Sequence, residues 1–518
     1  MNNLPCELIL EILKYMIPLN IGIYSAPNVD DIAIFSNIYQ YCKNVVNFSK
    51  VNKYLNNIIS KYGLRVICFP NNIDINIVLK HYSTHISAPN DTQMTDNDLD
   101  IIQNQIKLLD LDKNNKITDN GISKLMNISV LNLWNNKNIT DEGIKKLVNL
   151  EYLCIENGKN ITNAGIKKLV NLKMVQICKS TGITDEGIKG LVNLETLNLY
   201  TEFIPTNILT NGLTNVPMNV SSNITDEGIK GLINLTRLFL KNNGSITDEG
   251  IKLLINLTSL RFDFNTNITD EGIKPLINLT SLSLEHANKL TDEGIKGLIN
   301  LISLSLTYTS NKITDEGIKL LINLTHLKLL SNKNITDEGI KSLINLTDIN
   351  LSGNENITDD GIKLLTNLTS LFLGGNKITD EGIKPLTNLT YLNLDGNKIT
   401  DDGIKPLTNL TYLNLNGNKI TDDGIKGLTN LTYLSLGQNK KITDNGIKGL
   451  INLTTIRMLC NTNITNDGIR GLKNLSVLEL WMNENVTDDG IKGLKHFRSL
   501  STKNNSNWHK YINISDYY

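Results

Sequence analysis

The 518-residue sequence predicts an α/β solenoid, with a curved parallel sheet on the concave face and short helices on the convex face, preceded by a small all-α domain. Three observations predict it. A phrase close to I-T-D-E-G-I recurs seventeen times between Ile117 and Gly490, at steps of 21 to 23 residues except once. Most copies continue K-x-L-x-N-L-T-x-L-x-L and reach an Asn two or three residues later. Ahead of Met94 the period is absent and helical stripes replace it. A short period sustained this long marks a solenoid whose length is set by copy number, so counting globular domains does not apply. The wide step runs from 183 to 224; there Met218 and Val220 follow Leu197 and Leu199 by 21 residues, which predicts a degenerate coil near 204–223 and about eighteen repeats.

The elements follow in chain order. Leu8, Ile12, Leu13 and Met16 form one apolar helical stripe, and Phe48, Val51, Leu55 and Ile58 form a second. Within a repeat such as 389–409, Leu392 and Leu394 alternate with Tyr391, Asn393 and Asp395, the mark of a strand with one buried face. Asn397 sits at the bend, where its amide can bond backbone groups released as the chain leaves the strand. Thr400 offers an N-cap hydroxyl, and Asp401 and Asp402 place acids at the positive end of a short helix. Ile404 and Leu407 turn one helix face inward, and Gly403 permits close approach of the next coil. Six aliphatic side chains per copy contribute roughly 1.5–3 kcal/mol each when fully buried, against about 1–2 kcal/mol of backbone entropy for every ordered residue. A lone repeat therefore does not fold, and stability resides in the interfaces between coils. The domains expected are a helical domain over 1–63, a linker and N-terminal capping repeat over 64–105, repeats over 106–500 and a tail over 501–518.

Composition narrows the function classes. Lys plus Arg total 51 against 52 for Asp plus Glu, so no net positive field draws nucleic acid or an anionic membrane. The six cysteines lack any C-x-x-C pair, which suits a reducing compartment. The opening MNNLPCELILEILKYM lacks a basic leader, and no apolar run reaches membrane-spanning length, so the chain reads as soluble and cytoplasmic, with the nucleus a second address.

The pattern L-x-x-L-x-L-x-x-N, with a helix-bearing second half, resembles the leucine-rich repeat family from Met94 to about Leu500. I-T-D-E-G-I is closest to the subtype common in leucine-rich F-box proteins, with Asn here where those proteins usually carry Cys near the strand end. L-P-C-E-L-I-L-E-I-L at Leu4–Leu13, followed by N-F-S-K-V-N-K-Y-L-N-N-I-I at Asn47–Ile59, resembles an F-box; residues 17–43 separate the halves more widely than usual, and Tyr54 stands where Trp is frequent. The combination, with abundant Asn, Ile and Lys, also resembles F-box and repeat proteins of giant DNA viruses such as mimivirus. The resemblance implies a substrate-recognition subunit of an SCF-type cullin–RING ubiquitin ligase. Leu4, Pro5, Leu8, Ile9 and Ile12 would dock on a Skp-type adaptor, and the protein would be a monomer outside that complex. The alternative is a plain interaction scaffold whose N-terminal helices only cap the first coil.

Residues interleaved with the core leucines belong to the free sheet face, where a protein target would bind. Aromatics there are the candidate anchors: Trp134, Tyr152, Tyr200 and Phe239 toward the N-terminus, and Tyr391, Tyr412, Tyr433 and Trp481 toward the C-terminus. Tyr391, Tyr412 and Tyr433 share one repeat position and should form a column, although duplication alone also copies tyrosines. No P-loop, H-E-x-x-H, G-x-S-x-G or zinc-spaced cysteine set occurs, so no enzyme, metal or cofactor is expected. His81 and His85 read as neighbours on a helix surface, Cys154 and Cys178 as two ordinary thiols on adjacent strands, and Asp185 with Lys189 as a weak exposed pair. N-L-T repeats the glycosylation sequon. Its simpler account is that Asn ends the helix, Leu is core and Thr begins the strand, whereas a surface adhesin would carry glycans there.

Overall fold

The computed structural model describes residues 94–503, except 105, 157–159, 179–181, 200–222, 242, 265–266, 287–288, 308–311, 398, 493 and 495–498, together with the backbone of 66–68 and 85–87. The chain divides into two units, Met1–Leu257 and Thr258–Tyr518.

In the first unit eight strands pair in chain order, every pair parallel: β1 (Val66–Cys68), β2 (His85–Ser87), β3 (Leu108–Asp110), β4 (Val130–Trp134), β5 (Tyr152–Glu156), β6 (Met174–Cys178), β7 (Thr196–Leu199) and β8 (Arg237–Lys241). The second unit holds β9 (Ser259–Asp263), β10 (Ser281–Glu285), β11 (Ser303–Thr307), β12 (His326–Lys328), β13 (Asp348–Asn350) and β14 (Ser370–Phe372), all parallel and consecutive. It continues through β15 (Tyr391–Asn393), β16 (Tyr412–Asn414), β17 (Tyr433–Ser435), β18 (Thr455–Leu459), β19 (Val477–Trp481) and β20 (Ser499–Lys503). One-turn helices such as Asp401–Ile404 connect the strands, which makes each unit an α/β solenoid. Register keeps equivalent leucines in line, with Leu371, Leu392, Leu413 and Leu434 on successive strands and all fully buried.

The ends of the repeat region differ from expectation. Two paired strands, β1 and β2, occupy the stretch expected to hold a linker and one capping repeat, so among the described residues strand pairing is already present at Val66, ahead of 106. His85 lies on β2, not on a helix, because the coil period already governs that segment. The last strand carries pairing past residue 500 to Lys503. The degenerate coil expected at 204–223 falls mostly outside the described residues, but its flanks meet directly: β7 pairs with β8, Thr196 opposite Arg237 and Leu197 opposite Leu238. No strand stands between them. Thr225 bonds Asp185 through both its backbone N–H and its hydroxyl, at 2.7 Å each, as neighbouring coils do elsewhere. Residues 201–222 contain no T-D-x-G-I phrase, and that phrase is what holds coil to coil.

The coil-to-coil clamp is built from three residues of the phrase. In most coils the first residue of the helix is an acid that accepts two hydrogen bonds from the next coil's capping Thr; at Asn163 and Asn466 an amide accepts the N–H and donates to the hydroxyl. Asp401, for example, receives the Thr421 N–H at 2.8 Å and its hydroxyl at 2.5 Å. The glycine of that next coil leaves room for the acid: a Cβ on Gly424 would lie 2.4 Å from Asp401 Oδ1. Thus the first acid, read from sequence as serving its own helix dipole, mainly ties two coils together. This also corrects the expected Asp185–Lys189 pair: Asp185 is engaged by Thr225, and Lys189 pairs with Glu186, three residues away. Exposed pairs of that kind contribute about 0.3–0.5 kcal/mol.

Two asparagine ladders complete the stack. At the bend, buried Asn136 donates to the Asn114 carbonyl at 2.9 Å and accepts from the N–H groups of Asn138 and Ile139. Asn397 and Asn418 likewise donate to Leu373 and Leu394 of the preceding coils. The N-L-T asparagines form the second ladder, Asn409 Nδ2 donating to Thr387 O and Asn430 Nδ2 to Thr408 O, both at 3.0 Å. The threonine hydroxyls run beside it, Thr411 to Thr390 O and Thr432 to Thr411 O, at 3.1 Å.

Candidate protein-binding face

The two units present different sheet faces. In the second, most residues between the core leucines stay half-exposed, as at Ser281, Ser283, Asp348, Asn350, Tyr391 and Asn393, while Ser435 is buried. In the first, Asn132, Cys154, Gln176 and Asn198 occupy the same positions but are buried, each no more than 9% exposed. The expectation of one open face along the whole chain is therefore corrected: it holds for the second unit apart from Ser435 and fails over β4–β7. The burial has chemical consequences. It pushes the Cys154 thiol up, with Cys178 and Glu156 adding to the effect, so Cys154 stays a protonated thiol. It also raises the Asp112 carboxyl to about 6, against the lowering pull of Lys113.

On the second unit's face, register sets Tyr391, Tyr412 and Tyr433 side by side on β15, β16 and β17. Their rings stack at centroid separations of 3.9 and 4.1 Å, each pair tilted by only 7°. Phe372 extends the column, its ring 4.7 Å from Tyr391 at 35°. Sequence reasoning missed Phe372 because it stands opposite Asn393, two residues off the tyrosine register. The available signal was an aromatic on the same face of the adjacent copy. At the other end the Arg457 guanidinium lies 5.9 Å from the Tyr433 centroid and pairs with Glu479 at 2.8 Å. Partial burial and neighbouring phenols push the Tyr412 and Tyr433 hydroxyls up to about 12, so both remain neutral donors at physiological pH. The polar neighbours are tied back: Asn393 and Asn414 accept from the N–H groups of Asp395 and Asn416, at 3.1 Å each. This makes a rigid apolar strip with a row of hydroxyls, suited to contact rather than proton transfer.

The other candidates are dispersed. Trp481, on β19, is 39% exposed. Trp134, Tyr152 and Phe239 are half-buried on β4, β5 and β8, and register keeps them apart, with Tyr152 opposite Val130, Trp134 opposite Glu156 and Phe239 opposite Asn198. Tyr200 and the N-terminal group Leu4, Pro5, Leu8, Ile9 and Ile12 lie outside the described residues. At the start of the second unit Arg261 binds fully buried Asp263 at 3.0 Å and approaches Glu285 at 3.9 Å, while Phe264 stacks on His286. Burial and the Asp263 charge raise the Glu285 carboxyl. Among the described residues no cluster of three His, Cys, Asp or Glu could hold a metal, and no helix is long and apolar enough to cross a membrane.

Residues 106–126, 124–148, 231–255, 254–277, 276–298, 320–344 and 342–366 each match the leucine-rich repeat family, and 366–406 and 408–449 match its two-copy form. These coils are leucine-rich repeats. No curated protein matches the sequence. Among solved structures, a leucine-rich-repeat protein of Leptospira interrogans is 27% identical over 69% of this chain and 92% of that one, with a TM-score of 0.50. An internalin of Listeria monocytogenes is 26% identical, covering 62% and 84%, at 0.43; the TLR13–ssRNA13 complex is 20% identical, covering 85% and 69%, at 0.49. Within the leucine-rich repeats, N-L-T has a complete structural account, since its Asn and Thr side chains both bond the preceding coil.

Proposed function

We propose that this leucine-rich-repeat protein is a non-catalytic scaffold that captures a protein target on the sheet face of its second unit, with Tyr391, Tyr412 and Tyr433 as the central anchor. The observation carrying this reading is the stack itself. Three half-exposed aromatics are held ring on ring before any partner arrives, so little side-chain entropy is lost on binding. Replacing all three by Ser removes aromatic surface but no core leucine. We expect partners recovered by proximity labelling with the wild type to bind the triple variant at least tenfold more weakly, about 1.4 kcal/mol, with the circular dichroism melt little changed. Equal affinity would assign the column to repeat duplication.

A finer reading rests on the sequence L-P-C-E-L-I-L-E-I-L at Leu4–Leu13. In it the protein is a substrate receptor of an SCF-type ubiquitin ligase, working in the cytoplasm of a host cell if the viral resemblance holds. The N-terminal helices take a Skp-type adaptor and the tyrosine face takes the protein to be ubiquitylated. Full-length protein should co-precipitate the adaptor, and Leu8→Asp should abolish that recovery while sparing target capture. No recovery by the wild type, where an established F-box protein succeeds, leaves the plain scaffold.

A further inference from the structure

The first unit carries a second surface that the proposed capture face does not use. Just before each N-L-type turn stands an apolar residue, and Met126, Val148, Val170, Val192 and Ile233 are between 43% and 57% exposed, one per coil in consecutive coils. Their backbone is fixed, because the carbonyl of each accepts the Asn side chain of the following coil at 2.8–2.9 Å. Beside this ridge runs a polar groove whose lining includes Ser129, Glu151, Lys173 and Glu195. These residues take the position that Thr holds in most other copies, where a Thr hydroxyl bonds the preceding coil. Duplication explains the recurring Thr and the apolar position, which returns as Ile255, Ile277, Ile299, Ile322 and Ile344, each at least 54% exposed; it does not explain charges substituted in adjacent coils. Lys173 pairs with Glu151 at 2.9 Å, with both side chains partly exposed. Glu195, exposed on the next coil, makes no ion pair among the described residues.

We propose that this ridge is the interface of a homodimer, in place of the monomer expected from sequence, with a second copy of the chain docked antiparallel about a two-fold axis that crosses the row between the coils of Lys173 and Glu195. A two-fold contact must be self-complementary, and this surface is. About that axis Val170 meets the other copy's Val192, and Lys173 meets its Glu195, each contact occurring twice. An axis through the coil of Lys173 or of Glu195 sets like charges against each other, and one moved a whole coil toward the N-terminus offers Lys173 only Glu151, which it already binds within the chain, so Glu195 selects the register. The apolar ridge supplies the buried surface, and the alternating charges fix direction.

Sedimentation velocity on the full-length chain tests the proposal. The wild type should shift reversibly, with concentration, from the 57.8 kDa of one chain toward twice that mass. Glu195→Lys leaves the Lys173–Glu151 pair intact but sets Lys against Lys across the axis, and should weaken dimerisation at least tenfold. Lys173→Glu combined with Glu195→Lys should bring the dissociation constant back to within about threefold of the wild type. Val192→Ser, at an exposed position, should weaken the dimer without lowering the melting temperature. A wild type that stays monomeric at 100 μM overturns the proposal, as does a dimer indifferent to Glu195→Lys.

Discussion

Truncating Leu392 to alanine is expected to lower the stability of the second unit by about 2–5 kcal/mol, the range for an unrelieved cavity in a close-packed core. Leu392 is fully buried, and its register neighbours Leu371 and Leu413 are buried with it. Those neighbours are held by ladder hydrogen bonds above and below, so the stack cannot collapse into the gap. The effect should also be local. Because each coil contacts mainly its two neighbours, stability is a chain of interface terms, and amide exchange should accelerate most in the coils of β14, β15 and β16. A loss under 1 kcal/mol, or acceleration spread evenly over the unit, would count against the nearest-neighbour account. Tyr391, adjacent in sequence but on the opposite face, gives the contrast: Tyr391→Ser should cost far less stability.

What the sequence disclosed and what it concealed divide along a physical line. Patterns confined to one coil were legible: the inward Leu392 and Leu394, the bend Asn397, the glycine at 403 and the Thr before each helix. Each expresses a preference satisfied within a few residues, so one copy suffices to show it. The tyrosine column was legible as well, because equal repeat positions become register partners. Hydrogen bonds between coils were not. Asp185 looked like a partner for Lys189, four residues on, but its bonds run to Thr225, forty residues on, on the coil whose strand pairs directly with β7. The N-L-T ladder was hidden for the same reason, since each Asn reaches a carbonyl roughly one period back. Burial of Asn132, Cys154 and Gln176 was illegible for a different reason. Alternation tells which side of a strand a residue faces, not what packs on that side.

The clamp between coils yields the second large effect. In the pair of coils joined at Asp380, its carboxylate accepts the Thr400 N–H at 2.8 Å and the Thr400 hydroxyl at 2.5 Å, while a Cβ on Gly403 would lie 2.5 Å from Oδ1 and 3.1 Å from the Asp380 Cα. Gly403→Ala thus sets two tendencies against each other. Alanine favours helix over glycine by about 1 kcal/mol, but here its methyl group overlaps an acid held from two sides, and overpacking of this kind costs about 1–3 kcal/mol. The overlap should win, because the carboxylate oxygen is the closest contact and cannot rotate away without losing its two bonds from Thr400. Asp380→Ala removes the acid and costs roughly 1–2 kcal/mol for two bonds to a partly exposed carboxylate. The double variant Gly403→Ala/Asp380→Ala separates this account from a simple glycine effect. With the acid gone, most of the overlap is gone, and the two losses should fall short of additivity by about 1 kcal/mol or more in urea denaturation. Strict additivity would mean that Gly403 is required for its backbone alone. Repetition magnifies the point: the same acid, threonine and glycine recur from coil to coil, so the short phrase that betrays the fold in the sequence is also the bond that assembles it.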